Sequence, residues 1–156
     1  MNFSTDYGCE LYEGDADSIG AAINASDWAA LRGGGAAHGF VGFPRFIQSD
    51  YFGDLSSAVA AVLQQPEVRI HSLRTVAGED GHWGAEVLPT DWVAAVAAVP
   101  ARSIWLLQQH WRESCFRTYG EPEAWLEGDL LDPLYRFTLL CGAALSRKTD
   151  VVLLAV

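Results

Sequence analysis

The sequence predicts a mixed α/β (α+β) fold: a single sheet with helices packed on it and the C-terminal strand at its centre. Three observations carry this expectation. Val151 to Val156 is an unbroken run of six apolar residues, which suits a strand covered on both faces better than an edge strand. Ile104, Leu107, Trp111 and Cys115 recur at offsets of 3, 7 and 11 residues, the period of a helix with one buried side. Val68–Val76 and Trp83–Leu88 flank the turn-forming stretch Gly78-Glu79-Asp80-Gly81, as in a β-hairpin. The chain of 156 residues is half hydrophobic. That is one domain's worth of sequence, enough to bury about 70% of its unfolded surface without disulfides or a structural metal.

The elements follow in order. Residues 2 to 12 read as a strand. Asp17 or Ser18 is placed to cap a short helix holding Ile19 and Ile23, and Ser26 to cap another holding Trp28 and Leu31, with Gly33, Gly34 and Gly35 as its stop. Phe40, Val41, Phe43, Phe46 and Ile47 surround Pro44, which marks an edge strand or one interrupted there, because proline donates no ladder bond. Asp54 is placed to cap a helix with the stripe Leu55, Val59, Val62 and Leu63, closed by Pro66. After the hairpin, Thr90 is placed to cap a helix with Trp92, Val93, Val96 and Val99 inward, ended by Pro100. A longer helix runs from about Ala101 to Tyr119, with Gly120 as its stop. Asp132-Pro133 opens the last helix, since the carboxylate caps and the proline ring fixes φ near the helical value; Leu134, Phe137, Thr138, Cys141 and Leu145 mark its buried side. Arg147 and Lys148 suit its C-terminal end.

Composition excludes several functions. Twenty acids against ten bases give a formal charge of −10, and a pI near 4.6 is unsuited to binding nucleic acid or anionic lipid, which needs clustered Lys and Arg. Six Trp and a mean hydropathy of +0.09 are incompatible with intrinsic disorder. Neither a leader-like start nor a membrane-length apolar stretch is visible, so a cytoplasmic location is expected. Cys9, Cys115 and Cys141 are too widely spaced for a zinc site and read as free thiols.

No familiar catalytic or phosphate-binding motif occurs. The Gly-rich run from Arg32 to Gly39 follows a helix and precedes an extended segment, the reverse of a phosphate cradle. Asp15-Ala16-Asp17 reads as a solvated loop whose second Asp caps a helix. His38, His71, His82 and His110 share no metal-ligand spacing, although His71 and His82 could meet across the hairpin. Cys115 with His110, or Ser72 with His71 and Asp80, supplies the residue types of a nucleophilic site, but His110 and Cys115 diverge by about 140° around a helix. Adjacent Ser72 and His71 point oppositely on a strand. No catalytic residue, metal or cofactor is assigned.

Charge is the distinctive feature. Residues 1–31 hold six acids, Asp6, Glu10, Glu13, Asp15, Asp17 and Asp27, and no Lys or Arg. Residues 118–135 hold five more, Glu121, Glu123, Glu127, Asp129 and Asp132, again with no Lys or Arg. Two solvated, solubilising faces are one reading. The other is a docking surface for a basic protein, formed by Asp6, Glu10, Glu13, Asp15, Asp17, Glu121, Glu123, Trp125, Glu127 and Asp129. Tyr7, Tyr12 and Trp125 interleave with these acids, and aromatic residues are the usual anchors of interfaces.

Two segments carry a resemblance. Ile70-His71-Ser72 through Asp80-Gly81-His82-Trp83 to Leu88-Pro89-Thr90-Asp91-Trp92, and Asp132-Pro133-Leu134-Tyr135-Arg136 through Leu140-Cys141 to Val151-Val152-Leu153-Leu154, resemble bacterial polymorphic-toxin immunity proteins of the immunity protein 70 family. They cover roughly a third of the chain. The acidic start and the Gly-rich loop depart from the family pattern. The resemblance implies a small non-catalytic cytoplasmic protein that neutralises a cognate toxin, and it assigns no contact residue. A basic toxin domain, such as a nuclease, would be the partner of this protein as a monomer or homodimer. The alternatives are a small hydrolase or transferase using His71, His82 or Cys115, and an acidic homo-oligomeric interaction protein.

Overall fold

The C-terminal strand does lie at the centre. In the computed structural model, which describes residues 6–79, 83–120 and 130–155, strands β1 (Tyr7–Gly14), β2 (Gly39–Pro44), β3 (Arg74–Glu79), β4 (Trp83–Val87) and β5 (Asp150–Ala155) form one sheet in the order β2-β1-β5-β4-β3. All four pairings are antiparallel. Val151, Val152, Leu153 and Leu154 are all buried because helices cover both faces where β5 runs. Its odd-numbered side chains join one core cluster and its even-numbered ones the other, as strand alternation requires.

One face is covered by α1 (Ala16–Asn24) and α2 (Trp28–Arg32). Tyr12, Ile19, Ile23, Leu31, Ala85, Val152 and Leu154 pack there. Gly20 lets α1 touch the sheet, since a Cβ there would lie 2.5 Å from the Val76 carbonyl oxygen. The other face carries α3 (Tyr51–Leu63), α4 (Thr90–Ala97), α5 (Ile104–Tyr119) and α6 (Leu131–Arg147), a 3₁₀ turn at Ala101–Ser103 preceding α5. Its core is aromatic: Phe43 meets Phe52, Trp111 and Phe137 edge-to-face at centroid distances of 5.4, 5.8 and 6.0 Å, the arrangement ring quadrupoles favour. The indole N–H of Trp111 donates to the Tyr51 carbonyl and that of Trp92 to the Ser56 hydroxyl, both at 2.7 Å.

Several local expectations are corrected. The caps of α1 and α2 are Asp15 and Asp27, which accept from the amides of Ser18 at 2.9 Å and Ala30 at 3.1 Å. Asp17 and Ser18 lie inside α1, and Ser26 takes a left-handed backbone with φ of 55°. Asp54 does not cap α3, which begins at Tyr51; its Oδ1 accepts from the hydroxyls of Ser114 at 2.8 Å and Thr118 at 2.7 Å on α5. A long-range contact has taken the carboxylate from its local role. Pro89 precedes α4 in the cap position, and Thr90 is the first helical residue. The last helix opens one residue before Asp132, which lies in its first turn. Leu145 is exposed. The edge position of β2, ending at Pro44, agrees with the reading of that segment.

Candidate interaction surface

The N-terminal acids do not form one surface. Glu10 and Glu13 are 2% and 0% exposed, and their odd spacing on β1 sends them to opposite faces of the sheet. Glu10 meets Arg32, the last residue of α2, and accepts from the buried Tyr12 hydroxyl at 2.6 Å. The Arg32 guanidinium also lies 5.8 Å from the Trp28 ring centroid and 5.2 Å from that of Phe40, within cation–π range. Glu13 meets Arg147, the last residue of α6, and accepts from Thr149 Oγ1 at 2.6 Å. Each buried carboxylate thus ties β1 to the end of a helix, one on either face. Both are removed from the docking set, because a partner cannot reach a charge that is sealed and neutralised inside.

The remaining N-terminal acids are at the surface with local tasks. Asp15 caps α1, and its hydrogen bonds to the Ser18 hydroxyl and amide hold its carboxyl below the usual range. Asp17 pairs with Arg74 at 3.0 Å, Asp27 caps α2, and Asp6 is exposed. Tyr12 is fully buried and Tyr7 packs on Phe40 at 5.7 Å, so neither stands out as an anchor. Glu121, Glu123, Trp125, Glu127 and Asp129 lie outside the described residues, as do Asp80 and His82.

The chemistry-bearing side chains are dispersed. All three cysteines are free and buried, and burial pushes the thiols of Cys9 and Cys115 up to about 12 and that of Cys141 further still. Such thiols are poor nucleophiles at neutral pH. His71 Nε2 lies 3.0 Å from Asp91 on an exposed face, and hydrogen bonding to His71 lowers the Asp91 carboxyl. Ser72 has φ of 51° and precedes β3. Among the described residues, no group of three or more His, Cys, Asp or Glu could hold a metal, and no helix is long and apolar enough to cross a membrane.

The raised thiols have a measurable consequence. Groups whose folded pKa lies above the unfolded value contribute stability that is complete below about 8.5 and is lost as pH rises toward the folded value. The urea midpoint, measured under reducing conditions, should therefore fall between pH 8.5 and 11, and Cys141→Ala should make that fall shallower. An unchanged midpoint across this range would mean that the thiols ionise without unfolding.

The outward sides of α5 and α6 are different in character. Among the described residues, eight large hydrophobic side chains are exposed, and seven of them lie on these two helices: Trp105, Leu106, Phe116, Tyr119, Tyr135, Leu139 and Leu145. Trp105 is the most open, at 60%. A groove of about 400 Å³ runs between Trp105 and Tyr135, over Ile104 and Leu131 and past Ala101 and Arg102. Isolated exposed hydrophobics are ordinary, whereas Trp105 and Tyr135 lining one groove make a candidate interaction surface. Sequence reading did not pick out this surface. The helical period that found the buried stripe also places Trp105, Gln109, Arg112 and Phe116 on a common side of α5, so the signal was present. Comparison with known proteins finds no family model, curated protein or solved structure that matches the chain.

Proposed function

We propose that this protein is a cytoplasmic immunity protein, which binds a cognate bacterial toxin domain and occludes its active site. The observation that carries the reading is the pair of exposed side chains Trp105 and Tyr135 lining one groove, with exposed Phe116 in the next depression along α5. A self-contained fold gains nothing from displaying Trp105 and Phe116, whereas a binding protein uses such side chains as anchors. The two segments resembling immunity proteins add to this, and both run through elements around the sheet's central strand. The acids at residues 121–129 supply negative potential that would steer a basic toxin toward the protein.

The test uses the C-terminal domain of the protein encoded immediately upstream. Coexpression of this chain should restore growth to cells producing that domain. Reversing Glu121, Glu123 and Glu127 together should slow association about tenfold at low salt and flatten its salt dependence, with the melting temperature unchanged. Persistent growth arrest, or an upstream product without toxicity, would overturn the proposal.

A further inference from the structure

Trp105, Gln109, Arg112 and Phe116 fall within about 60° of one another around α5, to one side of the buried stripe Ile104, Leu107, Trp111 and Cys115. Beyond the groove at Trp105, a second depression of about 490 Å³ continues along the helix between Gln109, Arg112, Glu113, Phe116 and Arg117. Along α5 and the turn before it, the charge is opposite to that of the molecule. Glu113 is the single acid of α5, against Arg112 and Arg117 on the helix and Arg102 just before it. Among the described residues, Arg32, Arg74, Arg136 and Arg147 are engaged in ion pairs, while Arg102, Arg112 and Arg117 are in none. In a chain of net charge −10, three arginines with no acidic partner among the described residues lie beside the exposed side chains Trp105 and Phe116.

We propose that this side of α5, with the N-terminal end of α6, docks an acidic amphipathic helix of a partner protein. An apolar side chain of that helix sits between Trp105 and Tyr135, a second rests on Phe116, and carboxylates meet Arg102, Arg112 and Arg117. From Trp105 to Phe116 the surface is about 16 Å long, which matches roughly three helical turns. Guanidinium groups suit this task because they pair with carboxylates in bidentate fashion and stack on aromatic rings. The inference rests on the reading of the chain as a protein-binding protein, and gives that partner an acidic helix beside its basic cleft.

The experiment uses the full chain and no toxin. A displayed library of random peptides of about 16 residues, long enough for four turns, is selected on the immobilised protein. Enriched peptides are then titrated against wild type, Trp105→Ala and the double variant Arg112→Glu/Arg117→Glu. These side chains are exposed or half-buried, and unchanged far-ultraviolet circular dichroism and melting will show that both variants fold. The expected winners combine Asp or Glu with Leu or aromatic residues at helical spacing, and lose about tenfold or more in affinity for each variant. Exchanging their acids for Lys should abolish binding. Basic or neutral winners, affinities indifferent to both variants, or a selection without winners would each overturn the proposal. So would a wild-type dimer in sedimentation that Trp105→Ala dissociates, since the occupant is then a second copy. A tenfold gain in peptide affinity on amidating Glu121, Glu123, Glu127 and Asp129 would assign the surface to the chain's own acidic stretch instead. Growth protection is read separately, so failure of either test leaves the other result standing.

Discussion

Deleting residues 150–156 is expected to leave a chain with no cooperative unfolding transition. β5 is hydrogen-bonded to β1 on one side and β4 on the other, so its loss divides the sheet into two strand pairs. The four buried side chains Val151, Val152, Leu153 and Leu154 each contribute about 1.5–3 kcal/mol by burial. Their sum is comparable with the whole stability of a domain, about 5–15 kcal/mol. The truncated protein should show a broad, non-cooperative urea response and bind a hydrophobic dye. A sharp transition with native-like near-ultraviolet circular dichroism would refute the central role of β5. Leu154→Ala is the graded version, expected to cost about 2–5 kcal/mol.

Arg147→Ala is expected to destabilise the protein by about 3 kcal/mol, far more than a surface arginine normally does. The reason lies in its partner. Glu13 is wholly buried, and removing the guanidinium leaves that charge with the Thr149 hydroxyl alone. Breaking a buried pair costs about 3–5 kcal/mol, and the half-exposed position of Arg147 places the effect at the lower end. The double variant Glu13→Gln/Arg147→Met should recover most of the loss, since no uncompensated charge remains. Asp132 and Arg136 provide the comparison: they are 3.9 Å apart and 80% and 53% exposed, and alanine at either should cost less than about 1 kcal/mol. Urea midpoints of the single and double variants measure the coupling directly. Equal small losses for Arg147→Ala and Arg136→Ala would show that Glu13 is solvated in solution.

Glu13 also shows why the candidate surface was only partly legible in the sequence. Six acids without a base in residues 1–31 look like a continuous negative face, but the bases that neutralise two of them come from the ends of α2 and α6. Arg147 is 134 residues away. The alternation of β1 gives the two faces of the strand, and no local rule says that both will be covered. Asp54 illustrates the same competition in a smaller way: a residue with good capping chemistry is taken by two hydroxyls of α5. Trp105 differs: the helical period marks the buried stripe of α5, and only the packed structure shows which of the remaining side chains stay in water.

The sequence by itself determined the kind and order of the elements and the place of the last strand, but not the helix caps or the first hairpin strand, which spans Arg74–Glu79 rather than Val68–Val76. Helical period, capping and turn residues act over a few positions, and an unbroken apolar run is stable only where both faces are dry. The tertiary structure alone decided which charges are surface and which are interior, and which aromatic side chains stay in water. Those depend on burial and on pairing between distant segments, and the free energy of a charge is set by its surroundings rather than by its neighbours in the chain. The acidic N-terminal run thereby became two internal ties for β1 and a few caps, and the exposed side of α5 and α6 became the surface to test.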